Sequence, residues 1–358
     1  MNGDFVDQIH TWYAGNKRDL PWRTTNDPYI VWVSEIILQQ TRVVQGIDYF
    51  YRFVEKFPSV SVLAQASEDE VLKLWQGLGY YSRARNLHYT AKYIHSELNG
   101  TFPFDYESII KLKGIGEYTA AAIASISFRL PYAVIDGNVY RVLSRYFGIA
   151  DPIDTNEGKK VFRDLAAELI SDYDPGVHNQ AMMEFGALHC VPTNPDCVQC
   201  PVNSFCHAYL NGTVDKLPVK RNKTKVRERY FNYYVVSLGE TVFLKKRTSN
   251  DIWRNLYEFP MIETKTDEPK GKMLEQEFVS NIGMFEEMEI NEITEWNTHL
   301  LSHQRIFFRF FVFHVSGEKK ISSYLIKVNK KDIFNFAVPK LLENFINNSN
   351  LFRPDPTI

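Results

Sequence analysis

Apolar residues recur at helical spacing over residues 60–75, 84–98 and 161–170, with Gly, Pro and Asp punctuating the chain between them. This pattern predicts a helical region over residues 1–210. From 211 to 229 the chain turns polar and basic, with Lys216, Lys220, Arg221, Lys223, Lys225, Arg227 and Arg229, and reads as a linker. After it the texture becomes that of strands. Residues 231–238 and 241–245 flank Gly239-Glu240, a hairpin turn, and residues 305–315 are dense in Phe and Val. The expected architecture is a mostly α N-terminal domain over 1–210, a basic linker over 211–229 and an α+β domain over 230–358.

Length agrees with that division, since 358 residues suit two domains that each bury a core. A hydrophobic fraction of 44% and a charged fraction of 23% are ordinary for a globular protein. The net charge of −2 changes the picture more, because a nucleic-acid reader this close to neutral must gather its positive charge locally. The first residues lack a basic stretch followed by an apolar one, so no secretory signal is expected. No run of 18 apolar residues occurs, so no membrane span is expected. All four cysteines lie between positions 190 and 206, which favours metal ligation over disulfides and a reducing compartment. The expected location is cytoplasmic, and nucleoid-associated in a bacterium.

The cysteines are Cys190, Cys197, Cys200 and Cys206, with spacing C-x6-C-x2-C-x5-C. Four thiolates so close can surround an iron–sulfur cluster or a tetrahedral zinc ion, and the wide first gap argues against the paired C-x2-C pattern common in zinc sites. The spacing resembles that of the endonuclease III superfamily of DNA glycosylases. The resemblance implies a [4Fe–4S] cluster associated with structure and DNA engagement, not with breaking the glycosidic bond.

Upstream, an apolar segment (Ile109, Ile110, Leu112) runs into Gly114-Ile115-Gly116 and then an alanine-rich helix former. Glycines permit close backbone approach to a phosphate, and the amides of the next helix offer donors and a positive dipole end. Alone this is a tight turn between helices; with the cysteines downstream it resembles the superfamily's helix-hairpin-helix. Bifunctional members carry a lysine just after the hairpin, where this chain has Tyr118. Tyrosine cannot form the Schiff base, so the resemblance narrows to monofunctional adenine glycosylases of the MutY type.

Two carboxylates carry the candidate chemistry. Glu35 sits in a mostly apolar run, residues 29–39, where it is either a wet-edge residue of a helix or a desolvated acid able to hold a proton at neutral pH. An acid of the second kind can protonate adenine and make it a good leaving group. Asp136, in Asp136-Gly137-Asn138-Val139, is a helix cap by its setting. It could also stabilise an oxocarbenium-like sugar, as paired carboxylates do in glycoside hydrolysis, staying ionised near donors and solvent while Glu35 is raised.

Carried over from the family, Glu35 is the general acid, Asp136 the stabilising carboxylate, Tyr118 a support for the sugar and Asn138 an orienting group. Trp22 and Arg23 match the adenine-pocket wall, with Gln180 and Glu184 as further pocket residues. Gln40, Leu78 and Tyr80 match the elements that distort DNA around an extruded base, with Arg83 and Arg85 near the phosphates. The C-terminal region resembles the family's Nudix-like domain for lesion recognition. Its cue is Ser302-His303, where the family reads Phe-Ser-His and this chain has Leu301 in the aromatic position. Ile282-Gly283 stand where a Nudix hydrolase needs Arg-Glu before the Glu286-Glu287 pair, so pyrophosphate hydrolysis is not expected.

The resulting expectation is a monofunctional DNA glycosylase removing adenine opposite 8-oxoguanine or guanine. Its expected partner is double-stranded DNA carrying such mispairs, with no membrane and a monomeric state. Tyr118 argues against the alternative of an endonuclease III-like pyrimidine-lesion glycosylase and lyase. The pairing of Glu35 with Asp136 argues against a non-catalytic binder of damaged DNA.

Overall fold

Short polar side chains set where the helices begin. Asp27, Ser67, Asp105, Asp136, Thr155 and Asp174 each precede a helix and accept a backbone N–H from its first turn. The computed structural model describes residues 2–221, 226–265 and 282–352. The chain divides into two units, Met1–Gln65 with Asn86–Lys223 and Ala66–Arg85 with Thr224–Ile358.

The helices in chain order are α1 (Asn2–Asn16), α2 (Pro28–Leu38), α3 (Val43–Lys56), α4 (Val60–Gln65), α5 (Glu68–Leu74), α6 (Ser82–Glu97), α7 (Tyr106–Ile109), α8 (Glu117–Phe128), α9 (Gly137–Phe147), α10 (Asn156–Ile170), α11 (Pro175–Leu188) and α12 (His207–Leu210). Phe5 and Ile9 of α1, Leu143 of α9, Phe162 of α10 and Phe185 of α11 meet in one buried cluster of the helical unit. Of these helices, α9 and α11 also carry polar residues of the site, Asn138 on α9 and Gln180 and Glu184 on α11.

The apolar run over 60–75 is two helices, not one. Ser67 accepts the Glu70 N–H while Glu70 accepts the Ser67 N–H, a capping box that starts α5 afresh. Residues 66–85 cluster with the second unit, whereas 86–223 return to the first, so the expected continuous domain over 1–210 is interrupted by this segment. The reason is pairing remote in sequence: Asp69 binds Lys246 at 2.5 Å and Tyr257 at 2.8 Å, and Lys73 donates to the Phe336 carbonyl at 3.2 Å.

The linker is corrected at both ends. The Val214 and Leu217 carbonyls accept from Arg145, and the Val219 carbonyl accepts from the Ile153 N–H, so the first half lies on the helical unit. Arg227 and Arg229 are strand residues, and Arg229 is buried between Asp251 and Glu263. Lys223 and Lys225 lie outside the described residues.

The second unit carries strands β1 (Arg227–Leu238), β2 (Thr241–Lys246), β3 (Tyr257–Glu258), β4 (Met261–Thr264), β5 (Gly283–Ile293), β6 (Asn297–Leu300), β7 (Gln304–Ile321) and β8 (Leu325–Asn329), followed by α13 (Lys340–Asn348). The sheet order is β3-β2-β1-β7-β5, with β4 on β1, β6 on β7 and β8 on β2. The predicted hairpin is present: Leu238 faces Thr241, and Gly239 takes the positive φ of 54° that the turn requires. β1 and β7 run parallel, placing Tyr234 beside Phe311 and Val236 beside Phe313 over one core. On the sheet, Phe310 stacks on Phe345 of α13 at 3.8 Å. β7 runs past the expected end at 315 because β5 pairs with its polar continuation, Met284 opposite Lys320. Apolar alternation could not reveal that extension.

Candidate active site

α2 is apolar on every side, and residues 31–37 are all buried, so the wet-edge reading of Glu35 does not hold. Glu35 is 7% exposed, and its Oε2 accepts the Tyr118 hydroxyl at 2.6 Å. Burial pushes the Glu35 carboxyl up from 4.5 to about 7; the Tyr118 hydrogen bond pulls it down, Asp136 pushes it up, and Arg23 pulls it down. At neutral pH this acid is therefore divided between its two protonation states. The Tyr118 oxygen also lies 3.6 Å from the Met183 sulfur.

Asp136 caps α9 and is close to saturated with donors. Oδ1 accepts the Asn138 and Val139 N–H groups at 2.9 and 2.8 Å, and Oδ2 accepts the Asn138 side-chain amide at 2.7 Å. Burial nonetheless pushes Asp136 above its ordinary value, while those donors and Arg141 pull it down. The expected contrast, with one carboxyl raised and the other left in a solvated setting, becomes a difference of degree. Both are desolvated, and three donors stabilise charge on Asp136 where one does so on Glu35.

The Asn138 amide is itself oriented, because its Oδ1 accepts Arg141 Nη2 at 2.8 Å. Arg141 also donates to the Gly186 carbonyl at 2.5 Å and the Cys190 carbonyl at 2.7 Å. α11 passes close to α9 here, since a Cβ on Gly186 would lie 2.7 Å from that of Asn138.

The opposite wall comes from a 3-10 turn, Pro21–Arg23, and from α11. Glu184 is 1% exposed and accepts from both Arg18 and Arg23, at 2.7 and 2.8 Å. Burial pushes its carboxyl up, but the two guanidiniums override that and hold it down at about 2. Gln180 accepts the Tyr13 hydroxyl at 2.8 Å, and Trp22 is buried edge-on against Phe50. Glu35, Tyr118, Asp136, Asn138, Trp22, Arg23, Gln180 and Glu184 together line one cavity of about 230 Å³. A proton donor near neutrality, an ionisable partner and a planar aromatic wall thus face one cavity.

Residues 33–168 match the family model described as HhH-GPD superfamily base excision DNA repair protein, and residues 232–348 match that of the NUDIX domain. The adenine DNA glycosylase of Buchnera aphidicola subsp. Acyrthosiphon pisum is 33% identical over 359 residues, covering 96% of this chain and 98% of that protein. The chain belongs to the adenine DNA glycosylase family. The relative from Mus musculus is 36% identical over 84% of this chain and 69% of its own. Among solved structures, a thermostable thymine-DNA glycosylase is 29% identical and covers 59% of this chain and 97% of its own, with a TM-score of 0.55. An endonuclease III–DNA complex, 21% identical and covering 58% of this chain and 94% of its own, shares the fold at a TM-score of 0.51.

The remaining expected residues fall into four places. Cys190, Cys197, Cys200 and Cys206 line a cavity of their own, and none is in a disulfide. Arg145, 3% exposed, frames it by donating to the Val191 and Pro192 carbonyls, with Nη1 3.5 Å from the Cys190 sulfur. Gly114, at φ 84°, and Gly116, the N-cap of α8, form the turn before α8, and Gln40 is exposed at the end of α2. Leu78, Tyr80, Ser302 and His303 line a cavity of about 410 Å³ in the second unit.

Arg83 and Arg85, expected near the phosphates, both donate to carbonyls of the protein. Arg83 donates to the Leu78 and Gly79 carbonyls and lies over the Trp75 ring, and burial pulls it down to about 10. Arg85 donates to the Arg254 carbonyl at 2.8 Å. Glu286 and Glu287 lie on strand β5.

Sequence reasoning missed Arg18, Met183, Arg141 and Arg145. Arg141 and Arg145 had a readable signal: two arginines one turn apart on a helix whose other face is apolar, a spacing that aims both at one neighbour.

Proposed function

We propose that this protein is a monofunctional glycosylase that hydrolyses the bond between adenine and deoxyribose where adenine stands opposite 8-oxoguanine or guanine in duplex DNA. The observation that carries the reading is Glu35, a buried carboxyl held near pH 7 and facing Asp136 across one cavity. Adenine turned out of the helix enters between Trp22 and the α11 wall. Glu35 gives it a proton, so the base departs neutral. Asp136, with charge stabilised by three donors, faces the cationic sugar until water adds at the sugar carbon and its proton returns to the Glu35 carboxylate. Tyr118 donates to Glu35, so its oxygen is a positioning group beside the acid and not a nucleophile. That supports the hydrolytic reading over a lyase.

Duplex DNA is the macromolecular partner of this reading, and the hairpin amides after Gly114 are the candidate phosphate donors. The protein would act as a monomer. Cys190, Cys197, Cys200 and Cys206 would hold a [4Fe–4S] cluster. The four thiols line one cavity and none is in a disulfide, a donor set that fits a four-iron core. When bound, that group supplies four iron–thiolate bonds that tie down the loop over 190–206.

The test is adenine release from duplexes with 8-oxoguanine, guanine or no base opposite, followed by alkali to reveal abasic sites. Release with strand scission only after alkali is expected. Strand breaks before alkali, or a Glu35→Gln variant that releases adenine at the wild-type rate, would refute the reading.

A further inference from the structure

The Tyr118 hydroxyl has one hydrogen and two acceptors in reach, Glu35 Oε2 at 2.6 Å and the Met183 sulfur at 3.6 Å. A thioether accepts weakly, so the hydrogen goes to the carboxyl and the sulfur stands by. Met183 is half-buried beside Ala121, Ala122 and Val134 and lines the same cavity as Glu35 and Asp136. Met182, the residue before it, is turned about 100° round the helix. It packs into the core of the helical unit and is 2% exposed. Of two adjacent methionines, one meets a small molecule entering the site and the other does not.

The contest between the two acceptors depends on the oxidation state of the sulfur. Hydrogen peroxide transfers one oxygen to a thioether lone pair: the S–O bond forms, the O–O bond breaks and water leaves. The sulfur loses two electrons and the peroxide gains them. The product is a polar sulfoxide whose oxygen accepts hydrogen bonds far better than the thioether did. Once Tyr118 donates to that oxygen, Glu35 loses the donor that stabilises its charge. The acid then holds its proton more tightly and can donate it to the Tyr118 oxygen instead of the base.

The geometry points to Met183 as an oxidation site that switches the acid off, a hydroperoxide converting its thioether to a sulfoxide that takes the Tyr118 hydroxyl from Glu35. The inference rests on the acid role given to Glu35 in the proposed function. Reduction of the sulfoxide reverses the change.

The experiment treats the full-length, iron-loaded protein with hydrogen peroxide. Peptide mass spectrometry reads oxidation at Met182 and Met183, and iron content is measured alongside. Single-turnover adenine excision is followed across pH 5.5 to 9. Met183 should oxidise while Met182 does not, and excision at pH 7 should fall at least about tenfold. The midpoint of the pH profile should rise from about 7, the direction expected when Glu35 loses its donor. Methionine sulfoxide reductases acting on both epimers should restore rate and midpoint. Met183→Leu, compared with its own untreated rate, should be insensitive to peroxide. Met183→Gln, a permanent acceptor in place of the thioether, should raise the midpoint without any oxidant. A Met183 that stays reduced, a sulfoxide form with full activity or an unmoved midpoint overturns the proposal alone. So does activity lost with iron and not recovered on reduction, which places the damage at the cluster. If neither variant folds, the midpoint and recovery of the wild type decide. Untreated protein that releases no adenine overturns the functional reading and this proposal with it.

Discussion

Replacing Tyr118 with phenylalanine isolates the one hydrogen bond that opposes the burial of Glu35. In the native protein the Tyr118 hydroxyl donates to Glu35 at 2.6 Å and so stabilises the ionised form. Removing a hydrogen bond to a charged group costs that form about 1.5–3 kcal/mol, and each pH unit corresponds to about 1.4 kcal/mol. The midpoint of Glu35 should therefore move from about 7 to roughly 8–9 in Tyr118→Phe. The acid works only when protonated, so activity falls as pH rises through the midpoint. The wild type, with its midpoint at about 7, should lose about tenfold between pH 6 and pH 8. The variant should lose about twofold or less over the same interval, whatever its absolute rate. Single-turnover excision across pH 5.5 to 9, with enzyme in excess over an adenine:8-oxoguanine duplex, reads this ratio directly. An unmoved midpoint, or one shifted to lower pH, would refute the claim that burial and this bond together set the acid.

The same carboxyl should tax stability. Its folded value lies above its unfolded one, so the stability present below about pH 4.5 is lost as pH rises through 7. At pH 8 Glu35→Gln should melt higher than wild type, by up to roughly 3 kcal/mol, with no gain at pH 4.5; equal melting at both pH values would count against a desolvated Glu35. Glu184→Ala strands Arg18 and Arg23 and should cost about 2–3 kcal/mol in chemical denaturation, the exposed part of Arg18 limiting the loss. Since Glu184 is held at about 2, the stability it contributes is present above about pH 4.5 and disappears only as pH falls through 2. Arg145→Ala removes donors to the Val191 and Pro192 carbonyls and should lower iron and sulfide content per chain; full iron content would show that the loop holds without them. Gly114→Ala puts a Cβ 2.6 Å from that of Asn86 at φ 84° and should destabilise by more than about 1 kcal/mol while weakening duplex binding. Unchanged binding would remove the hairpin from the DNA contact.

Patterns along the chain were enough to find the helical region, the strands after residue 230, the hairpin at Gly239-Glu240 and the tight grouping of cysteines. These are local properties, carried by period, turn chemistry and spacing within about twenty residues. Residue identities also separated Tyr118 from a lysine, and with it hydrolysis from imine chemistry.

Whether Glu35 was wet or buried lay beyond reach, because desolvation depends on what α8 and α11 place over it. Only the folded chain brings Tyr118 and Asp136 to that carboxyl from positions about a hundred residues apart. The transfer of residues 66–85 to the second unit is of the same kind, decided by pairs such as Asp69 with Lys246 that no local window contains. So is the use of Arg83 as a half-buried brace of the 78–79 turn. Periodicity records which face of an element avoids water. Charge state and ion pairing depend on distance to groups remote in sequence, and tertiary packing alone sets those distances.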